Sequence, residues 1–275
     1  MNDIINISNR LKCVASLVNK GARVADIGTD HAYLPIYLVQ NGISNKVYAC
    51  DVRKEPLRRA QLHIDEYGLS DKITTQLCDG LKGINKGDVD TVTICGMGGK
   101  LMKSILQAGI DKLGYNTQLV LSAQSELRDF RAYLLEAGID IKSEHILLED
   151  GKYYFIFDCV YNTPYEQHFN KNVVDADDIY KNDNQNNNEK KITAYTEEEL
   201  RYGKYLLDNK SEVLYESVTD LAGTIDTVNS DLVSMLDKVN DNIAEYQKIL
   251  DSFNSSVGGT QTLIDNAKSA TSDFR

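Results

Sequence analysis

The sequence has no uninterrupted apolar stretch of the ~18 residues that a membrane-crossing helix needs, and no N-terminal apolar run follows a basic cluster. A transmembrane helix and a secretory leader are therefore not expected, and a cytoplasmic protein is. Its five cysteines, Cys13, Cys50, Cys78, Cys95 and Cys159, never fall into CxxC spacing, which argues against a metal centre or a disulfide framework. Cys50, Cys78 and Cys95 end expected strands and read as reduced packing residues. A basic stripe is missing as well: residues 1–160 hold 19 Lys and Arg against 20 Asp and Glu, and residues 161–275 hold 11 against 21. The net charge of −11 thus belongs to the tail, and it neither supplies nor forbids a local patch for nucleic acid. What is present, 42% hydrophobic residues in 275, is enough for the core of one domain plus an appendage.

From residue 20 to 160, short apolar runs alternate with helical patterns, the signature of parallel β-α-β units. The expected strands are Arg23–Ile27, Lys46–Asp51, Ile73–Cys78, Val89–Cys95, Gln118–Ser122, Ile139–Leu147 and Tyr153–Tyr161. Helices are expected near Leu34–Asn41, Pro56–Tyr67, Lys100–Lys112 and Glu126–Glu136. Glu149-Asp150-Gly151-Lys152 makes a tight turn, so the last two strands form an antiparallel hairpin. An α/β fold follows, with a mostly parallel Rossmann-like sheet and one antiparallel strand, as in class I methyltransferases.

The stretch Val24–Pro35, VADIGTDHAYLP, joins the first strand to a turn and a helix. Gly28 relaxes the backbone there, and a helix beginning near Ala32 aims N–H groups at a ligand. A dinucleotide fingerprint needs glycines where this chain has Asp30 and Ala32, so a pyrophosphate would meet a carboxylate. A cofactor carrying a sulfonium and an ammonium suits Asp26 and Asp30 better, which points to S-adenosylmethionine rather than NAD. A strand-turn-helix connection with acidic caps is the plainer reading of the loop alone.

Later strand ends repeat the pattern. Asp51 ends the second strand, where a carboxylate can hold ribose hydroxyls, and an ordinary strand-ending Asp is its rival. Cys78-Asp79-Gly80 ends the third and offers a carboxylate to an adenine amino group, although Asp-Gly is also a common turn. Cys95-Gly96-Met97-Gly98-Gly99 ends the fourth and marks a backbone that turns sharply or approaches something closely. Met97 packs against a flat ring or fills the core. Four such signals at successive strand ends converge on the edge where sheets of this kind bind ligands.

These residues resemble the TrmK family, bacterial tRNA (adenine-22-N1)-methyltransferases. The resemblance rests on Ser8-Asn9-Arg10-Leu11, ADIGTDHAYLP, Asp79-Gly80, Ile94-Cys95-Gly96-Met97-Gly98-Gly99, Glu149-Asp150-Gly151-Lys152 with Tyr154, and Arg201-Tyr202-Gly203-Lys204-Tyr205-Leu206-Leu207. It implies a catalytic domain followed by a helical coiled-coil domain, S-adenosyl-L-methionine as cofactor, tRNA as partner and no metal. Asp30 and Tyr33 are then the catalytic candidates: Asp30 accepts a hydrogen bond from the adenine N6 amino group and takes its proton, and Tyr33 contacts the base. A helix cap is the rival reading for Asp30, and packing under the loop for Tyr33. The cofactor-binding candidates are Arg10, Asp26, Gly28, Thr29, His31, Asp51, Val52, Asp79, Gly80, Gly96, Met97 and Gly98. His31 lines the methionine end or is structural, and Arg10 folds its helix over the pocket or makes a surface ion pair. Arg53, Lys54, Arg58, Arg59, Lys100, Lys103, Arg128 and Arg131 are candidates for RNA phosphates or for plain solvated faces. Where many members have Gln-Pro-Asn after the fifth strand, this chain has Ser122-Ala123-Gln124.

The expected domains are 1–161 for catalysis, an Asn-rich mobile linker over 162–192, and a helical coiled coil over 193–275. Glu197–Ser217 reads as one helix whose Leu200, Leu207 and Leu214 form a seam. Val218, Leu221, Ile225, Val228, Leu232, Met235 and Val239 keep 3-4 spacing, which resumes after one extra four-residue step at Ile243, Tyr246, Leu250 and Phe253. A hairpin packed within one chain is the expected form, a monomer, with dimerisation through the same seam as the alternative and fraying beyond Asn254. The rival functions are a class I methyltransferase with another nucleic acid, a protein or a small molecule as acceptor, a coiled-coil interaction protein with a relic sheet domain, and, more distantly, an NAD enzyme.

Overall fold

The computed structural model describes residues 4–162 and 195–272. Strands β1 (Ala22–Ile27), β2 (Ser44–Asp51), β3 (Ile73–Leu77), β4 (Thr91–Met97), β5 (Gln118–Ala123), β6 (Ile139–Glu149) and β7 (Lys152–Tyr161) form one sheet in the order β3-β2-β1-β4-β5-β7-β6. The first five are parallel, and β7 runs antiparallel to both β5 and β6. The reversed strand, last in the chain, is thus inserted between β5 and an outermost β6.

Helices α1 (Asn9–Leu17), α2 (Tyr33–Gln40) and α3 (Lys54–Glu66) pack with one apolar cluster, and α4 (Gly99–Gly109) and α5 (Leu127–Glu136) with another. Alternation along the strands feeds both: Val24 and Val120 belong to the first, Ala25, Leu119 and Leu121 to the second. Val24, Ala25, Val92, Ile94 and Leu119–Leu121 are wholly buried, so the middle of the sheet is covered on both faces. A rigid core thereby holds the loops at the carboxyl ends of β1, β2 and β4.

The C-terminal helices differ from expectation. Glu197–Ser217 is three pieces, α6 (Glu197–Tyr202), α7 (Lys204–Asp208) and the start of α8 (Glu212–Ser272), because Gly203 (φ +93°) and Lys210 (φ +50°) leave the helical region. Thr196 and Glu199 form a reciprocal capping box that starts α6. The first compact unit runs to Tyr215, so the division expected at 161 and 193 moves to the stretch around Tyr215 and Glu216. Its cause is a set of contacts to β6 and α5: Tyr205 Oη donates to the Ile141 carbonyl at 2.8 Å, and Arg131 Nη1 donates to the Leu200 carbonyl at 2.9 Å. Leu206 and Leu214 are buried while Leu207 is exposed, so the expected leucine seam does not form.

The second unit, from Glu216, consists of α8 alone, a continuous helix rather than a hairpin. Helix continues past Asn254 to Ser272, where fraying was expected. Ser256 and Thr260 there donate their hydroxyls to the carbonyls four residues back, a bond that a helix accommodates. Apart from Asn162, the Asn-rich linker lies outside the described residues. Among the described residues no helix is long and apolar enough to cross a membrane.

Candidate active site

A cavity of about 880 Å³ opens at the carboxyl ends of β1 to β4. Its volume lies in the range of small-molecule and cofactor sites. Asp26, Gly28, Asp51, Asp79, Gly80, Gly96 and Met97 all line it, together with Arg10, Asp30, Tyr33 and Val52. The parallel register explains the convergence, since Asp26 pairs with Ala49 on one side and Thr93 on the other, leaving every strand to end at nearly the same level.

The floor is rigid. The Cys50 carbonyl accepts both the Gly28 and Thr29 N–H groups at 2.8 Å, which ties the loop after β1 to the end of β2. Asp26 is buried and accepts the Thr93 hydroxyl at 2.7 Å; burial pushes its carboxyl upward, against that hydrogen bond. Asp51, equally buried, accepts the Arg53 N–H at 2.7 Å and the Arg53 Nε at 3.4 Å, both on Oδ1. The second carboxylate oxygen meets no donor among the described residues. Gly28 has φ +78°, and a Cβ added there would overlap the Met97 Cε. Met97 packs beside the core, one of the two readings it offered, and also lines the cavity.

The rim is more open. Asp79 is exposed and held by Lys82 at 2.6 Å. Asp30 is not a helix cap: Ala32 occupies that position in the left-handed region with no side-chain cap bond, and the Asp30 side chain is 78% exposed at the cavity. His31 (φ 53°) and Ala32 (φ 56°) are consecutive left-handed residues without a glycine. Such backbone is costly unless held from outside. His63 holds it, with Nδ1 3.1 Å from the His31 carbonyl oxygen, and the His31, Tyr33 and His63 rings lie 5.5 Å apart pairwise. His31 itself does not line the cavity, nor do Thr29 and Gly98. Thr29 is buried in the loop, and Gly98 starts α4 so close to Ser125 that a Cβ would collide with its hydroxyl.

Arg10 unites its two readings. It lines the cavity while its Nε sits 3.6 Å from Glu149 and its guanidinium covers the Tyr154 ring at 4.9 Å. The Asn9 N–H donates to Glu149 as well, at 2.6 Å, so the β6–β7 hairpin positions α1 beside the site.

Several lining residues escaped the sequence reading. Cys78 and Cys95 face the cavity instead of serving only the core, a consequence of their places at strand ends. Arg53 lines it too, bonded to Asp51 through its N–H and Nε while most of its side chain stays exposed. Gln124, the residue after β5, reaches it as well. Arg131 is a correction: it is wholly buried against Glu144 and cannot meet RNA. Arg58 and Arg128 are engaged by Glu55 and by Glu197 with Asp129, while Lys54 and Lys100 remain exposed.

Comparison with known proteins agrees with this geometry. A family described as "Methyltransferase domain" matches residues 7–157. The structure of M. capricolum TrmK in complex with S-adenosyl-homocysteine is 36% identical, with 57% of this chain and 70% of that one covered and a TM-score of 0.52. The chain belongs to the TrmK family. The B. subtilis m1A22 tRNA methyltransferase TrmK is 28% identical, with 82% of this chain and 86% of that one covered and a TM-score of 0.66. A curated TrmK relative, the tRNA (adenine(22)-N(1))-methyltransferase of Bacillus subtilis strain 168, is 40% identical over 154 residues. That alignment takes in 56% of this chain and 64% of the relative, a little under two thirds of its length.

Proposed function

We propose that the cavity binds S-adenosyl-L-methionine and that the enzyme transfers a methyl group to N1 of adenine 22 in tRNA. The observation that carries this reading is the convergence of Asp26, Asp51, Asp79 and Gly96, each from the end of a different strand, on one cavity in a chain of the TrmK family. The donor set fits such a cofactor. A free oxygen on buried Asp51 suits ribose hydroxyls, Asp79 and Gly80 suit the adenine edge, and Asp26 with Gly28 suits an ammonium and a close backbone approach. Gly96, at φ +76° with nothing within 4 Å of an added Cβ, leaves its side of the cavity open.

When bound, the cofactor supplies an electrophilic methyl group on a sulfonium. Everything else is the task of the chain. Adenine N1 is a poor nucleophile that becomes cationic on methylation, so a fixed negative charge beside the acceptor lowers the barrier. Asp30 provides it at the rim, accepting from the N6 amino group and taking its proton. In the free protein this carboxylate is solvated, and its effect grows when the entering base displaces water, because the same charge acts more strongly in a drier site. Tyr33, steadied by His31 and His63, offers a ring against the base. Arg10 carries α1 against the cofactor side of the cavity.

Arg53, Lys54, Arg59, Lys100 and Lys103 are the remaining candidates for tRNA phosphates, and a tRNA substrate implies a cytoplasmic enzyme. The test is methyl transfer to purified tRNA with primer-extension mapping of the product. A stop at position 22 is expected; methylation at another position, or of a protein or small molecule only, would replace the acceptor while leaving the cofactor assignment standing.

A further inference from the structure

The apolar stripe of α8 is interrupted only at Thr260, and each of its apolar members is in water. From Val218 to Ile264, thirteen apolar side chains at the two core positions of the heptad are between 40% and 68% exposed. A helix stabilised by packing needs its apolar face covered. No second helix of this chain covers it among the described residues, because the hairpin expected from the sequence is absent.

We propose that α8 pairs with α8 of a second copy of this chain as a parallel, in-register, two-stranded coiled coil. Three observations select this occupant. First, Val218, Ile225, Val239, Ile243, Val257 and Ile264 make six of eight first-core positions β-branched, the preference of parallel two-stranded coils. Second, charge is kept away from the seam. Asp226, Asp237, Asp241, Glu245, Asp251 and Asp265 all take outward heptad positions, and only Asp231, Lys238 and Lys268 are charged on the flanks of the stripe. An acidic helix can therefore meet its own copy without opposing like charges across the contact.

Third, the extra four-residue step between Val239 and Ile243 interrupts the heptad once. Parallel copies in register set that step opposite itself and match every core layer through Ile264, like residue against like; an antiparallel pair centred on Val239 matches layers only from Val218 to Thr260 and sets first-core Val218, Ile225 and Leu232 against Thr260, Phe253 and Tyr246. The area suffices: thirteen half-exposed apolar side chains amount to about 1,000 Å² per chain, above the ~800 Å² a side of a standard stable interface.

The experiment is sedimentation equilibrium on the full chain at micromolar concentration, with cysteine cross-linking to read direction. The mass of two chains is expected. Replacing Ile225→Asp together with Leu232→Asp should return the mass of one chain, with binding of S-adenosylhomocysteine unchanged as evidence that the sheet domain is folded. Leu221→Cys and Val257→Cys, each alone, should cross-link to themselves under mild oxidation beyond what the unsubstituted chain shows. A single-chain mass for the unsubstituted protein, whatever RNA or other protein it binds, would overturn the proposal. So would three or more chains, or cross-linking only when the two cysteine variants are mixed.

Discussion

Thr93 Oγ1 donates to Asp26 Oδ1 at 2.7 Å, from the middle of β4 to the facing position on β1. Asp26 is nearly inaccessible, and desolvation raises its pKa more than this bond lowers it. A carboxyl with a raised folded-state pKa favours folding while protonated, and that contribution is lost as pH climbs from the unfolded value of about 3.9 through the folded one. Asp26→Asn keeps an acceptor for Thr93 and removes the titration. Melting temperature measured against pH should fall less for the variant than for the parent across the mildly acidic range, leaving the variant the more stable at pH 7. The same change should weaken cofactor binding, since the cationic end of the ligand loses its carboxylate.

At Gly28 the prediction concerns shape. Ala there must adopt φ +78° and push the Met97 methyl into the cavity. The backbone cost is about 1 kcal/mol, small beside the lost space, because the far end of Met97 is flexible. Calorimetry should therefore show affinity for S-adenosylhomocysteine falling roughly tenfold, the counterpart of about 1.4 kcal/mol, with a minor loss of melting temperature. Adding Met97→Ala should restore part of the affinity. An unaltered affinity in the single variant would mean that the ligand does not pass this side of the cavity.

Arg131 and Glu144 form a buried pair, 0% and 1% exposed, with Arg131 Nη2 2.8 Å from Glu144 Oε2. Burial pushes the Glu144 carboxyl up, Arg131 pulls it down, and Oε1 has no hydrogen-bond partner among the described residues. Gly203 packs so tightly on both side chains that a Cβ would collide with them, so the pair also seats α6 and α7. Arg131→Met should destabilise the protein by about 3–5 kcal/mol in urea unfolding, because it strands a buried carboxylate. Arg131→Met with Glu144→Leu should recover most of that loss. Equal losses in the single and double variants would show that the contacts to the Leu200 and Arg201 carbonyls matter more than the charge.

Much of this site could be read in the sequence because each element announces itself locally. Asp26, Asp51, Asp79 and Gly96 each follow a short apolar run, and a parallel sheet brings strand ends together without further information. The seven strands came out within a few residues of their observed limits for the same reason, since period-two runs between turn residues are a local signal. What failed was non-local. Arg131 looked like one more surface cation on a helix, and only β6 and the Leu200 region, distant in sequence, make it internal. His63 gave no sign that it would brace His31, because the contact joins α3 to a loop 32 residues earlier. The heptad of α8 was plain, but periodicity identifies a stripe and not the partner that covers it.

The proposed division of labour between Asp51 and Asp30 is central: one carboxylate, buried at the end of β2, is proposed to hold the donor, and the other, open at the rim, to serve the acceptor. Its most direct test is to measure S-adenosylhomocysteine binding by calorimetry and tRNA methylation by product mapping for Asp51→Ala and Asp30→Ala side by side. Loss of both binding and turnover is predicted for Asp51→Ala, and retained binding with turnover reduced at least about a hundredfold for Asp30→Ala. Full methylation by Asp30→Ala, or undiminished ligand affinity in Asp51→Ala, would contradict it.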